Sequence, residues 1–238
     1  MDMRGTLEGI ISALEQTLGA GRAEMLLGGM VATIQISLGA VFIGLIIGSI
    51  IAAFNLSNWG IKIGRRTFRP LRLIAFVYLG VIRGTPAVTQ LLIVNATIFA
   101  TARGAGIWVG IVALGINSGA YVAEIIRAGI QSIDKGQMEA GLSLGFNKRQ
   151  AMTYIVMPQA VKNILPTFVN EFIVLIKETA IVGFVAVQDI NRVGQLIMSR
   201  TLDVTPLFVT AVMYLFLISV LTMLLSFLER KLRSSDRK

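Results

Sequence analysis

The stretch LLGGMVATIQISLGAVFIGLIIGSIIAAF, residues 26–54, runs 29 positions without one charged side chain. About 20 helical residues suffice to cross the ~30 Å hydrocarbon layer of a bilayer. Four more apolar stretches of spanning length follow, at residues 73–100, 107–126, 166–187 and 206–228. A single segment crosses lipid only as a helix, because every backbone amide must find its partner inside the segment. A closed barrel needs strands of alternating polarity, and no such alternation occurs here. The expected fold is an all-α integral membrane protein with five transmembrane helices.

Composition points the same way. Of 238 residues, 55% are hydrophobic and 15% charged, against roughly 25% charged in a soluble domain. The chain holds no cysteine and no histidine. Disulfides, thiolate chemistry, the usual zinc, copper and haem ligands and histidine acid–base catalysis are therefore excluded. No domain boundary, tandem repeat or low-complexity tract interrupts the chain.

The net charge of +9 is better read by placement than by sign. Outside the spans, one face collects Arg4, Arg22, Arg103, Arg192 and Arg200. The other collects Lys62, Arg65, Arg66, Arg69 and Arg72, then Arg127, Lys135, Lys148, Arg149 and Lys162, then Arg230, Lys231, Arg233, Arg237 and Lys238. A threefold bias repeated in three segments puts the second face in the cytoplasm, the N-terminus outside and the C-terminus inside. The basic segments 62–72 and 230–238 are expected at anionic headgroups, and the charge is not a nucleic-acid footprint. Residues 1–24 lack the basic-then-apolar order of a secretion signal. Leu7, Ile10, Ile11 and Leu14 fall at helical spacing there, which predicts an amphipathic helix on the membrane surface. Small residues recur four apart at Gly44/Gly48, Gly106/Gly110 and Gly115/Gly119, suited to close helix packing in lipid.

The long basic-side segment between the third and fourth spans is the one place for organised structure outside the bilayer. Asp134-Lys-Gly-Gln137 has the spacing of an N-cap with a reciprocal partner, so a helix through residues 138–144 is expected, ended by a left-handed Gly145. Asn147-Lys-Arg-Gln150 offers a second cap, opening a helix that Pro158 interrupts. Within this segment Glu139-Ala140-Gly141, three residues, Gly145, nine residues, then Ile155-x-Met157-Pro158 resembles the EAA loop of bacterial ABC importer permeases. Gly141 stands for the second alanine and Met157 for leucine. Arg83-Gly84-Thr85-Pro86, the run from Ala123 to Gly129, and Asn170-Glu171-Phe172 with Lys177-Glu178-Thr179 are similar to the polar amino acid permeases of the histidine, arginine, glutamine and glutamate type. The likeness covers the chain from about residue 25 onward.

The resemblance implies a 25–238 transmembrane domain, with an EAA loop at 134–158 that couples to an ATPase through Glu139, Ala140, Gly141, Gly145, Ile155 and Pro158. It also implies a second permease chain (self or sibling), two cytoplasmic ATPase subunits, an external amino-acid-binding protein and a place in the bacterial plasma membrane. No Gly-x-x-x-x-Gly-Lys-Ser/Thr phosphate loop occurs, so ATP and magnesium belong to a partner and no cofactor is expected on this chain. A channel or a transporter driven by an ion gradient would also explain spans with ionisable groups, but not the capped helix pair with its Glu-Ala spacing.

Ionisable groups inside a bilayer cost about 2.5–3.5 kcal/mol each on insertion scales and so need a reason. Counted from the expected span starts, Arg83 in the second span, Asn117 and Ser118 in the third and Glu178 in the fourth reach one level, beside Lys177. With Asn170, and with Glu171 counted as shallower, they predict a water-accessible path for a polar or charged amino acid. The alternative is that Arg83, Lys177 and Glu178 form ion pairs with one another.

Overall fold

A computed structural model describes residues 3–19, 21–63, 66–102 and 104–235. Helix α1 (Met3–Leu18) precedes the long α2 (Arg22–Leu56), and a short antiparallel hairpin, β1 (Ile61–Ile63) and β2 (Arg66–Phe68), follows. Then come α3 (Pro70–Gly84), α4 (Ala87–Thr97) and α5 (Ile107–Gln131). The basic-side loop contributes α6 (Lys135–Ser143) and α7 (Lys148–Ala151), and a π-helical turn over Met152–Val156 leads into α8 (Met157–Glu178). A 3-10 run over Thr179–Val185, then α9 (Ile190–Thr201) and α10 (Thr205–Ser235), complete the order.

Among the described residues, α2, α5 and α10 over Thr205–Phe227 are long and apolar enough to cross a membrane. The pair α3 and α4 makes a fourth crossing if taken together. The core is the crossing of α2 and α5, the most extensive helix contact among the described residues. A β-carbon on Gly48 would lie 2.7 Å from Val122, and one on Gly115 would lie 2.7 Å from Ile43. The small residues spaced along both helices thus let the backbones meet. In lipid, where apolar burial gives helices little reason to associate, such close packing is what holds them. Ile36, Ala40, Ile111, Leu114, Leu175 and Val182 seal the centre of this contact. On α10, Phe208, Leu215, Phe216, Met223 and Phe227 point outward, each 65% exposed or more, as a lipid-facing surface requires.

Two spans differ from the sequence-based expectation. The second, expected as one run over residues 73–100, breaks between Gly84 and Ala87 into helices bent by 108°. Pro86 lacks an N–H and drives Thr85 into an extended conformation (φ −124°, ψ 149°). The carbonyls freed by the break are not orphaned: Gln90 Nε2 donates to Ile82 O (2.8 Å) and to Thr85 O (3.2 Å). The helix expected as the fourth span begins at Met157 rather than near residue 166, with Pro166 inside it, and it is not among the described helices apolar enough to cross a membrane. Pro158 does not interrupt the helix. Its ring would clash with the carbonyl four residues back in a regular α-turn. The wider turn just before it, closed by Met157 N to Met152 O, makes room instead.

Residues 3–18 are helical, with Ile11, Leu14 and Leu18 exposed. The helix touches α2 and α10. Arg237 and Lys238 lie outside the described residues, as do Arg65 and Arg103.

Candidate functional site

The first candidate is the two-helix loop. Helix α6 starts at Lys135, earlier than expected, because the Asp134 carboxylate accepts from Gly136 N at 2.7 Å. Gln137 does not complete the reciprocal cap; its side chain instead accepts from Gln159 Nε2 at 3.1 Å, tying α6 to the start of α8. At the other end Gly145 takes φ +89°, and Phe146 N donates back to Gly141 O at 3.1 Å. That left-handed turn is where a glycine is needed. Asn147 and Gln150 cap α7 reciprocally, each bond 2.9 Å. Gly141 lies where the two limbs touch: a β-carbon there would meet Ile155 Cδ1 at 2.6 Å and Ala151 Cβ at 3.1 Å. Glu139 and Leu144 stay exposed, and Leu144 at 79% is a large apolar side chain left open at the tip.

The second candidate is a set of polar groups radiating from α5. Asn117 and Ser118 are buried, at 4% and 0% exposure. Being adjacent on a helix, they point about 100° apart. Asn117 Nδ2 donates to Gln90 Oε1 (2.9 Å), so it locks onto the break between α3 and α4. Ser118 Oγ donates to Glu171 Oε1 (3.2 Å) on α8. Two turns further along α5, Glu124 accepts from Arg127 Nε (3.1 Å) and Nη2 (2.7 Å). Its other oxygen faces Arg83 Nη1 at 3.9 Å. The Arg83 guanidinium also lies 6.0 Å over the Tyr121 ring, within range of a cation–π contact.

Arg83 therefore pairs with Glu124 and not with Lys177 or Glu178. Nor do Arg83, Asn117 and Glu178 share one level. Arg83 reaches a carboxylate seven residues, or about 10 Å, along α5 from Asn117. The carboxylate beside Ser118 is Glu171, not Glu178, because α8 starts nine residues before the expected position and carries Glu171 deeper. Glu178 sits seven residues on, along the same face. Lys177 turns toward a cavity of about 370 Å³ between α8, α9 and α10, beside Asn191, Thr210 and Tyr214. Asn170 is exposed on α8.

Glu124 stands between two open cavities. One, of about 810 Å³, is lined by Asn55, Arg72, Arg83, Arg127 and Gln131 among others. The second, of about 490 Å³, lies toward α8 and is lined by Ser132, Asn163 and Thr167. Sequence reasoning did not single out Glu124, Arg127 or Gln90 as site residues. The signal was present in the Glu124/Arg127 spacing of three, and in the need of a membrane arginine for a counter-charge.

The family described as binding-protein-dependent transport system inner membrane component matches residues 44–234. The arginine transport system permease protein ArtQ of Bacillus subtilis (strain 168) is 44% identical over 176 residues, covering 71% of this chain and 79% of that one. The glutamine transport system permease protein GlnP of Escherichia coli (strain K12) is 36% identical over 166 residues, covering 67% and 75%. A crystal structure described as an amino acid ABC transporter with histidines superposes with a TM-score of 0.81 at 38% identity, over 93% of this chain and 98% of that one.

Proposed function

Because this chain belongs to the family of binding-protein-dependent transport system inner membrane components, we propose that it carries polar or charged amino acids inward for an ATP-driven importer. The chain is a multi-pass permease subunit of the plasma membrane. ATP and magnesium are handled by two ATPase subunits, and the cargo arrives from an external amino-acid-binding protein. A second permease chain, the same or a sibling, completes the core.

Five crossings are assigned: α2, the bent pair α3 and α4, α5, α8 with its 3-10 extension, and α10. Helix α8 carries too many polar groups to stand as a span by composition, and those groups are the reason to place it along the path. The N-terminus lies outside with α1 flat on the membrane, and the C-terminus lies inside. The loop at 134–158 seats in the ATPase, with Glu139, Ala140, Gly145 and Pro158 shaping its surface and Gly141 and Ile155 holding its limbs together.

The observation that carries the reading is that α5 presents Asn117 and Glu124 to polar partners on one side and Ser118 to a carboxylate on another. An amino acid needs acceptors for its ammonium and donors for its carboxylate. Glu171, Glu178, Ser118, Asn117 and Asn170 with Arg83 supply both kinds, while Lys177 flanks the route. The test is uptake into vesicles reconstituted with permease, ATPase and binding protein. A Glu171→Gln variant is expected to lose uptake, or change its selectivity, with cargo binding by the external protein intact. Unchanged rate and selectivity after neutralising Glu171, Glu178 and Arg83 in turn would overturn the path.

A further inference from the structure

The hairpin between α2 and α3 plays no part in the path described above, yet it is tightly built. Ile61 pairs with Phe68 and Lys62 with Thr67. A β-carbon on Gly60 would meet Thr67 Cγ2 at 2.7 Å and Phe68 O at 2.8 Å, so the base of the hairpin is closed. Cross-strand partners share a face. Ile61 and Phe68 therefore stand together, 50% and 43% exposed, with Trp59 two residues before Ile61 and 58% exposed. Lys62 and Thr67 are exposed on the opposite face. Arg69 and Arg72 follow at once, and Arg72 Nε donates to Asn55 O at 3.2 Å, fixing the hairpin's exit to the end of α2. On α3 the apolar surface continues through Leu73, Ile74 and Phe76, which is 74% exposed.

We propose that the two strands of the hairpin with their flanks, residues 59–63 and 66–69, form an interfacial anchor for anionic phospholipid. Trp59, Ile61 and Phe68 sit at the boundary between headgroups and acyl chains, and Lys62, Arg69 and Arg72 gather negative headgroups around them. Two features identify lipid as the occupant. The apolar face leads directly into the exposed apolar surface of α3, which starts at Pro70, two residues after the end of β2. Its flanks carry cations, and an indole beside cations is the arrangement found at a membrane–water interface.

The chain has two tryptophans, Trp59 and Trp108, so Trp108→Phe leaves Trp59 as the one reporter in the whole permease. Reconstituted in vesicles, its emission should be quenched more by brominated phosphatidylglycerol than by brominated phosphatidylcholine at equal mole fraction. The preference should fall by up to about fivefold for each charge removed in Lys62→Gln and Arg69→Gln. It should also weaken in the charge-intact permease as salt rises from about 0.05 to about 0.5 M, a readout that needs no change to the hairpin. Lys62→Arg should keep it. Equal quenching by the two lipids overturns the proposal. So does quenching that disappears when the ATPase subunits bind, since the hairpin would then be a protein-docking element.

Discussion

Gly141 is the position where the loop can be tested most sharply, because the nearest obstacle to its β-carbon is the tip of one flexible side chain. In Gly141→Ala the new atom would lie 2.6 Å from Ile155 Cδ1 and 3.1 Å from Ala151 Cβ. Replacing glycine by alanine inside a helix gains about 1 kcal/mol. Overpacking typically costs about 1–3 kcal/mol, and the low end applies where the obstructing atom is the tip of a flexible side chain. The single variant should therefore range from neutral to about 1 kcal/mol less stable in α6. Ile155→Val removes the obstructing methyl and costs about 0.5–1 kcal/mol, Ile155 being only half-buried. Combined, the two changes fit each other, so the double variant should be more stable than the sum of the singles by about 1 kcal/mol.

Hydrogen-exchange protection of the α6 amides in the detergent-solubilised permease reads that local stability directly. If the loop couples to the ATPase as proposed, ATP-driven uptake should rank the variants in the same order. Additive effects, equal to the sum of the singles within about 0.3 kcal/mol, would refute the limb contact and the rigid-loop argument built on it.

Gly145→Asp places a side chain at φ +89°, a strain of roughly 1–2 kcal/mol; the variant should insert normally but fail to co-purify with the ATPase. Ser118→Ala removes the donor to Glu171 and should slow uptake by about fivefold, the kinetic weight of one hydrogen bond of about 1 kcal/mol, measured against unchanged cargo binding by the external protein. Asp203 is held below the ordinary carboxylate value by the backbone N–H and hydroxyl of Thr205. A lowered value means its contribution is present above the ordinary carboxylate value and is lost as pH falls through the lowered one. The thermal-stability advantage over Asp203→Asn should therefore vanish in acid and be full at neutral pH. Since the chain is naturally free of cysteine, a Ser234→Cys variant should label from the cytoplasmic side alone; labelling from outside would reverse the topology.

The apolar runs at 26–54, 107–126 and 206–228 were legible because a helix that meets lipid must be apolar over its whole length, and α2, α5 and α10 follow from that. The packing of α2 on α5 was legible in part, as glycines four apart, though which helix each pair would meet was not. Caps were read well where the bonds are local, as at Asn147 and Gln150. They were read poorly at Gln137, whose partner Gln159 lies 22 residues away. Local rules find local partners.

The errors in the polar layer share one cause. Depth follows from residue count only along straight helices with known starting points, and two prolines defeat that count in opposite ways. Pro86 breaks a span that looks continuous, and the break lets Gln90 reach Asn117. Pro158 fails to break a helix that looks interrupted, because a π-helical turn absorbs it and α8 begins earlier. The consequence is chemical as well as geometric: an earlier α8 carries Glu171 in to Ser118, while Arg83 finds its counter-charge in Glu124. A proline removes one hydrogen bond and adds one clash, and both can be relieved by a bend or by a wider turn. Which relief occurs depends on what the displaced carbonyls and side chains then meet. At Pro86 a glutamine one turn ahead is there to meet them, and at Pro158 the neighbouring limb of the loop holds the chain in line. The position of these polar groups is therefore set by the partners of two prolines, not by residue count.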